Sequence, residues 1–251
     1  MIPTPIRQVL STIQSNGVQA LLMGGQACVF YGAAQVSKDV DLVLLAQEEN
    51  FSRLLAALDQ LQAKRIAVPR FDPALLARGH AVHFRCAAPG VEELRIDIMT
   101  CLRDLPPFLA LWERRTVITG DRSEEFHLLS IPDLVDAKKT QRTKDWPMIE
   151  LLVAIHYREN SVNPCPDWVE FWLAQARTPE LLAELVQRFP NEARAQTSRR
   201  PLLRLAFSGE REALRAALDA EARAEQAKDR VYWAPLKAEL EAFRRVEREG
   251  C

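Results

Sequence analysis

The apolar run Val18-Gln19-Ala20-Leu21-Leu22-Met23 ends on Gly24-Gly25, and Asp39-Val40-Asp41 opens a second apolar run, Leu42-Val43-Leu44-Leu45, fourteen residues after Gly25. This stretch constrains the fold more than any other. The spacing predicts a buried strand, a tight turn at the glycine pair, a short helix starting near Gln26, and a second strand. Side chains alternate along a strand, so Asp39 and Asp41 point to the same side. Left bare, two carboxylates about 4 Å apart repel by roughly 1 to 4 kcal/mol, depending on the local dielectric. A hard divalent cation turns that repulsion into ligation, and Mg²⁺ is typically held by one or two carboxylates plus substrate phosphates. A helix N-terminus behind a glycine turn is the kind of place where phosphates sit.

Length and charge narrow the class. With 251 residues the chain can bury a full core in one large or two modest domains. The net charge is −1, and a split after Asp145 gives 17 basic and 17 acidic residues before it and 16 and 17 after it. Neither half carries the electrostatic footprint of a general nucleic-acid binder. Five scattered cysteines (Cys28, Cys86, Cys101, Cys165, Cys251), with no Cys-x-x-Cys pair, argue against a disulfide framework and a zinc site. Met1-Ile2-Pro3-Thr4-Pro5 lacks the charged and apolar regions of a signal peptide, and no apolar run approaches membrane-spanning length. The expectation is a soluble cytoplasmic protein with no membrane partner.

Strand and helix signals interleave up to about residue 130. Ile6, Val9, Leu10 and Ile13 have the spacing of an amphipathic helix that Gly17 would end, and Phe51, Leu54, Leu55, Leu58 and Leu61 mark a second over 47–62. His80–Cys86 and Leu94–Met99 read as strands joined by a turn around Pro89-Gly90, with a further short strand at Thr116–Thr119. If the turn spans Ala88 to Glu92, antiparallel pairing sets His83 opposite Asp97 and Arg85 opposite Arg95; a one-residue slip would undo it. From Pro132 onward the pattern is helix after helix, with breaks near residues 163–166, at Pro190 and at 197–201. Glu210–Lys228 is composed as a good helix. The expected architecture is α/β (α+β): a mixed sheet flanked by helices over residues 1–145, then an all-helical domain over residues 146–251.

The order strand, Gly-Gly, short helix, Ser37-x-Asp39-x-Asp41, strand resembles the nucleotidyltransferase superfamily typified by DNA polymerase beta. It resembles in particular the bacterial branch that carries Gly-Gly where polymerase-like members carry Gly-Ser, which includes aminoglycoside and toxin-type enzymes. The resemblance covers roughly residues 18–150 and implies the nucleotidyltransferase fold. It implies that Gly24 and Gly25 line a triphosphate, with Ser37 and Lys38 beside them, and that Asp39 and Asp41 hold Mg²⁺. It implies too that Asp97, on a following strand, brings the third carboxylate to two metal ions and takes the proton from the attacking hydroxyl. His83 and Arg85 become candidate substrate contacts. Gln35 departs from the pattern, for many bacterial relatives carry Arg there.

A second dense segment, Asp136-Ala137-Lys138-Lys139-Thr140-Gln141-Arg142-Thr143-Lys144-Asp145-Trp146, follows Pro132, with Ser130 as candidate helix cap. On a continuous helix Lys138 and Arg142 share a face and Asp145 lies within reach of Arg142. The segment resembles the Lys…Arg-x-Lys-Asp stretch that lines the nucleotide pocket in bacterial members. By that match Lys138, Arg142 and Lys144 belong to the nucleotide site, and Asp145 anchors the segment through Arg142. The first Lys stands four before the Arg rather than five, so either Lys138 or Lys139 could point inward.

The expected function is Mg²⁺-dependent transfer of an NMP from an NTP such as ATP to an acceptor hydroxyl, with release of pyrophosphate. The resemblance implies an acceptor that is a small molecule, a tRNA or a protein. Two alternatives stand beside it: a catalytically silent nucleotide-binding module that contacts a partner protein through its helical domain, or the toxin of a toxin–antitoxin pair. His80 and His83, three apart on a strand, cannot share a metal, and His127 and His156 read as structural. No Gly-x-Ser-x-Gly and no Walker-type Lys-Ser is present.

Overall fold

The chain, described here from a computed structural model, is defined over residues 4–121 and 124–249. Cys251 and Met1-Ile2-Pro3, read above for redox and targeting signals, lie outside the described residues. Two compact units are defined by the packing of the chain. The first takes in the residues up to Phe30, Ala34–Ala137 and the chain from Tyr232 on; the second takes in Tyr31–Ala33 and Lys138–Val231.

The first unit runs α1 (Thr4–Ser15), β1 (Ala20–Met23), α2 (Gly24–Phe30), β2 (Asp39–Leu44), α3 (Glu48–Gln60), β3 (Lys64–Arg65), α4 (Pro73–Ala77), β4 (Val82–Arg85), β5 (Arg95–Met99), α5 (Phe108–Glu113), β6 (Thr116–Thr119), β7 (Glu125–Leu128) and α6 (Ile131–Ala137). Its seven strands form one mixed sheet in the order β3-β4-β5-β2-β1-β7-β6. β2 runs parallel to β5 and β1 parallel to β7, while the remaining pairs are antiparallel. The second unit contains only helices among its described residues: α7 (Trp146–Asn160), α8 (Pro166–Gln175), α9 (Pro179–Arg188), α10 (Pro190–Gln196), α11 (Leu203–Ser208) and the part of α12 (Arg211–Glu249) that precedes Tyr232. The expected mixed sheet flanked by helices is therefore present, as is the helical C-terminal region. No helix among the described residues is long and apolar enough to cross a membrane.

Alternation along the strands divides the sheet into two faces. Val40, Leu42 and Leu44 of β2, Ile96 and Ile98 of β5, and Val82 and Phe84 of β4 are all buried. Phe51 of α3 meets Phe71, which in turn meets Phe84, so α3 covers this face. Leu10 and Ile13 of α1 line a small cavity with Leu22 and Leu42, placing α1 on the same side. Burying a Leu or Phe side chain here contributes about 2 to 3 kcal/mol. The opposite face of β2 and β5 carries Asp39, Asp41, Arg95 and Asp97, all only partly buried.

One buried side chain fixes the loop that aims β2. Asn50, 2% exposed in the first turn of α3, accepts from the Gln19 N–H (2.7 Å) and donates to the carbonyls of Gln19 (3.0 Å) and Leu45 (2.9 Å). It stitches the start of β1 to the end of β2. Asn50→Ala removes three hydrogen bonds, each worth about 0.5 to 1.5 kcal/mol, and leaves the Gln19 N–H without its partner at about 1 to 3 kcal/mol, while the Gln19 and Leu45 carbonyls keep the Leu45 and Gln47 N–H groups. The expected loss is about 2 to 4 kcal/mol in urea unfolding, with little change in the slope with denaturant.

Candidate functional site

Met23 is the last residue of β1, and its register partner in β2 is Asp41. Directly after it, Gly24 takes φ +68°, a conformation that L side chains rarely adopt. A Cβ built there would sit 1.9 Å from Asp41 Oδ2. Only glycine can pass this close, so the turn and the second aspartate are one packing unit. A Cβ on Gly25 would come 2.8 Å from Ser37 Oγ, and that hydroxyl donates to the Asp39 carbonyl at 3.3 Å. The two glycines thus pack on the two ends of Ser-x-Asp-x-Asp. Lys38 and Gln35 are exposed.

Register brings the third carboxylate in. β2 pairs β5 with Asp39 opposite Arg95 and Asp41 opposite Asp97. β4 pairs β5 with His83 opposite Asp97 and Arg85 opposite Arg95, the pairing that the turn length predicts. One row across the sheet therefore reads Met23, Asp41, Asp97, His83, and the next reads Asp39, Arg95, Arg85. Neighbouring strands lie about 4.8 Å apart, so the Asp41 and Asp97 carboxylates are near neighbours.

Asp97 is tied down from one side. Arg95 Nε donates to Asp97 Oδ1 at 2.6 Å, and His83 Nδ1 lies 2.9 Å from the same oxygen. An Arg95 nitrogen also lies 3.0 Å from His83 Nδ1. That nitrogen cannot donate to Asp97 and accept from Arg95 at once; beside a carboxylate the proton belongs on Nδ1, which leaves the Arg95 contact as donor against donor. Burial pushes the Asp97 pKa up, but the bonds and charges of His83 and Arg95 outweigh it and hold the carboxyl below its usual range. Burial alone would lower the Arg95 pKa, yet Asp97, Asp39 and Asp41 together raise it. The sequence reading names Arg95 only as the strand partner of Arg85; its i, i+2 spacing from Asp97 is the signal that could have assigned it. Arg85 is exposed and pairs with Glu93 at 3.3 Å.

The donor set suits a hard cation, being three carboxylates with no soft ligand among them, and the Gly24 cradle holds one of them in place. Among the described residues no three His, Cys, Asp or Glu side chains are already drawn together as ligands of one ion; Asp97 Oδ1 is engaged with Arg95 and His83 instead. The four described cysteines form no disulfide, and burial pushes Cys86 up to about 11, which leaves it inert as a nucleophile. His156 accepts from Trp172 Nε1 at 2.8 Å among aromatic rings, a structural role.

The Lys138–Asp145 segment, in the second unit, is not a continuous helix. α6 stops at Ala137, and a 3-10 turn covers Thr143–Asp145 before α7 begins. Ser130 does cap α6, accepting from the Asp133 N–H at 3.4 Å. Between the helices, side chains satisfy the backbone: Thr140 Oγ1 accepts from the Arg142 N–H (3.1 Å) and Asp229 from the Gln141 N–H (2.8 Å). Lys138 is the buried member of the lysine pair, 4% exposed, with its ammonium 3.1 Å from Asp145 Oδ1. Asp145 Oδ2 accepts from Thr140 Oγ1 (2.6 Å) and Arg142 Nε (2.8 Å). Arg142 and Lys144 are exposed.

No family model matches the sequence, and no curated protein matches it. Among solved structures the chain is similar to a proposed nucleotidyltransferase from H. pylori, at 16% identity over 90% of this chain and 93% of that one, with a TM-score of 0.43. It is also similar to the antibiotic-resistance factor ANT(2'')-Ia. The solution structure gives 14% identity over 90% and 95% of the two chains, TM-score 0.34. The crystal structure with adenylyl-2''-tobramycin gives 14% over 86% and 95%, TM-score 0.34.

Burial pushes the Asp145 pKa up, but Lys138, Thr140 and Arg142 more than offset it and bring it below the ordinary value. A folded pKa below the unfolded value of about 3.9 stabilises the fold at higher pH, and the benefit fades as pH falls through the folded value. Asp145→Asn leaves Lys138 buried without its partner and is expected to cost about 3 kcal/mol or more at pH 7. The stability gap between wild type and variant, followed by urea unfolding, should stay full down to about pH 5 and close as the pH falls below 4.

Proposed function

We propose that the chain is a Mg²⁺-dependent nucleotidyltransferase that moves an NMP from an NTP to an acceptor hydroxyl, releasing pyrophosphate. The observation that carries the reading is the row of Asp41 beside Asp97, with Asp39 one place along the same face, set against a glycine turn that only glycine can make. Asp39 and Asp41 would hold Mg²⁺, and Asp97 would complete the set. Mg²⁺ held there supplies neutralisation of the triphosphate and of the charge spread in the transition state. Gly24 and Gly25 present backbone without side chains, so a triphosphate could lie along them, with the Ser37 hydroxyl and the Lys38 ammonium close in sequence. Asp97 directs Oδ1 at Arg95 and His83, which leaves Oδ2 to take the proton of an incoming hydroxyl. Its lowered pKa keeps it ionised at neutral pH, so it accepts that proton weakly and passes it on readily. The balanced charge of the chain favours a small-molecule or protein hydroxyl over a large RNA.

A second reading, a nucleotide-binding module without turnover, is favoured by the grip of Arg95 and His83 on Asp97 and by Gln35 in place of a cation. The two readings separate in one assay. Purified protein and Asp39→Ala are incubated with Mg²⁺, each α-labelled NTP and cell extract, and labelled products are resolved by gel and thin-layer chromatography. Label transfer should fall by on the order of 10²- to 10³-fold in the variant, the worth of a few kcal/mol of charge stabilisation. Equal transfer by both proteins would sink the enzyme reading; NTP binding with no label in either would favour the silent module.

A further inference from the structure

Arg95 stands in an unusual place for a cation. It is two residues from Asp97 on the same strand face, opposite Asp39 in register, and one strand from Asp41. Its guanidinium bonds one oxygen of Asp97 at 2.6 Å and feels the charge of all three aspartates. With a side chain 38% exposed, it is not walled in by packing. Three carboxylates and one guanidinium give this face a formal charge of −2, which one divalent cation cancels.

We infer that Arg95 is the residue that sets how tightly this face takes a divalent cation: it balances the charge of Asp39, Asp41 and Asp97, and a cation arriving there works against it. The inference rests on the metal-dependent reading given above. Two consequences follow from charge alone. Without Arg95 the three carboxylates repel one another and draw a divalent cation more strongly. With it, Oδ1 of Asp97 reaches the cation only as the guanidinium gives way, so full ligation by Asp97 and Arg95 movement are coupled. A lysine in its place keeps the charge but loses the planar fork that fixes it on a carboxylate.

The test counts free Mn²⁺ by electron paramagnetic resonance during titration of wild type, Arg95→Met, Arg95→Gln, Arg95→Lys and Asp39→Ala, with the melting temperature of each followed in parallel. Arg95→Met and Arg95→Gln should bind Mn²⁺ about tenfold more tightly, a change of about 1.4 kcal/mol, on removal of a unit positive charge a few ångströms away in a half-exposed site. They should also melt lower without the ion and gain more from it than wild type does. Arg95→Lys should stay within about threefold of wild type. Two neutral variants make the result independent of whether one of them folds poorly. Unchanged or weaker Mn²⁺ binding in the neutral variants overturns the inference, as does an equal shift in Arg95→Lys, which would mean geometry rather than charge. If wild type and the Arg95 variants bind no Mn²⁺ that Asp39→Ala abolishes, it is the metal-dependent reading itself that fails.

Discussion

The close approach of the Gly24 backbone to the Asp41 carboxylate is the constraint from which the rest of the site follows. β1 and β2 pair antiparallel with Met23 against Asp41, and the chain must leave β1 directly beneath that carboxylate to begin α2. Any Cβ at Gly24 would overlap Asp41 Oδ2. The glycine is therefore required twice, for its positive φ and for its missing side chain. Once this contact is set, β2 has one register against β1, and Asp39 and Asp41 have one face to occupy.

That face carries a local conflict. Asp41 and Asp97 are direct cross-strand neighbours in β2 and β5, and like charges placed opposite each other are unfavourable by a few tenths to about 1 kcal/mol. A sheet selected for stability alone would place an opposite charge or an apolar residue at one of these positions. The chain instead adds Arg95 and His83 around Asp97 and leaves the pair in place. Such a breach of local preference, compensated by His83 from the same row and Arg95 from the next, is where functional sites are expected to depart from sequence-level rules.

The geometry of the acidic face was legible in the sequence because strand alternation and a short hairpin turn determine register: a turn over Ala88 to Glu92 sets His83 against Asp97, the pairing observed. Other elements left no such mark. β7 pairs parallel with β1 from about a hundred residues away, and Glu125–Leu128 is too short to show a period. The two-residue β3 and the short α4, capped by Asp72, fall below the length at which periodicity speaks. α12 runs on past Lys228 and through Pro235, which composition argues against. Its continuation is held by contacts that sequence cannot see: buried Leu236, and Glu239 bonded to His80 (2.6 Å) and Arg78.

The segment from Lys138 to Asp145 shows why a charge pattern alone does not assign a role. Lys138 in this segment and Arg95 on β5 are each paired with an aspartate, and their surroundings decide what they can do. Lys138, with 6% of its side chain exposed, is bonded to an Asp145 that also accepts from Thr140 and Arg142. Pulling it out to meet a phosphate would leave a buried carboxylate short of a partner, at a cost of several kcal/mol; in place, Lys138 braces the segment that leads into α7 through Asp145. Arg95, with 38% of its side chain exposed, is bonded to one oxygen of a carboxylate in a crowded acidic row. Its displacement exposes no buried charge, because a cation taking its place satisfies the same aspartates. Burial separates the two: the cation that is free to yield is the one on the acidic face.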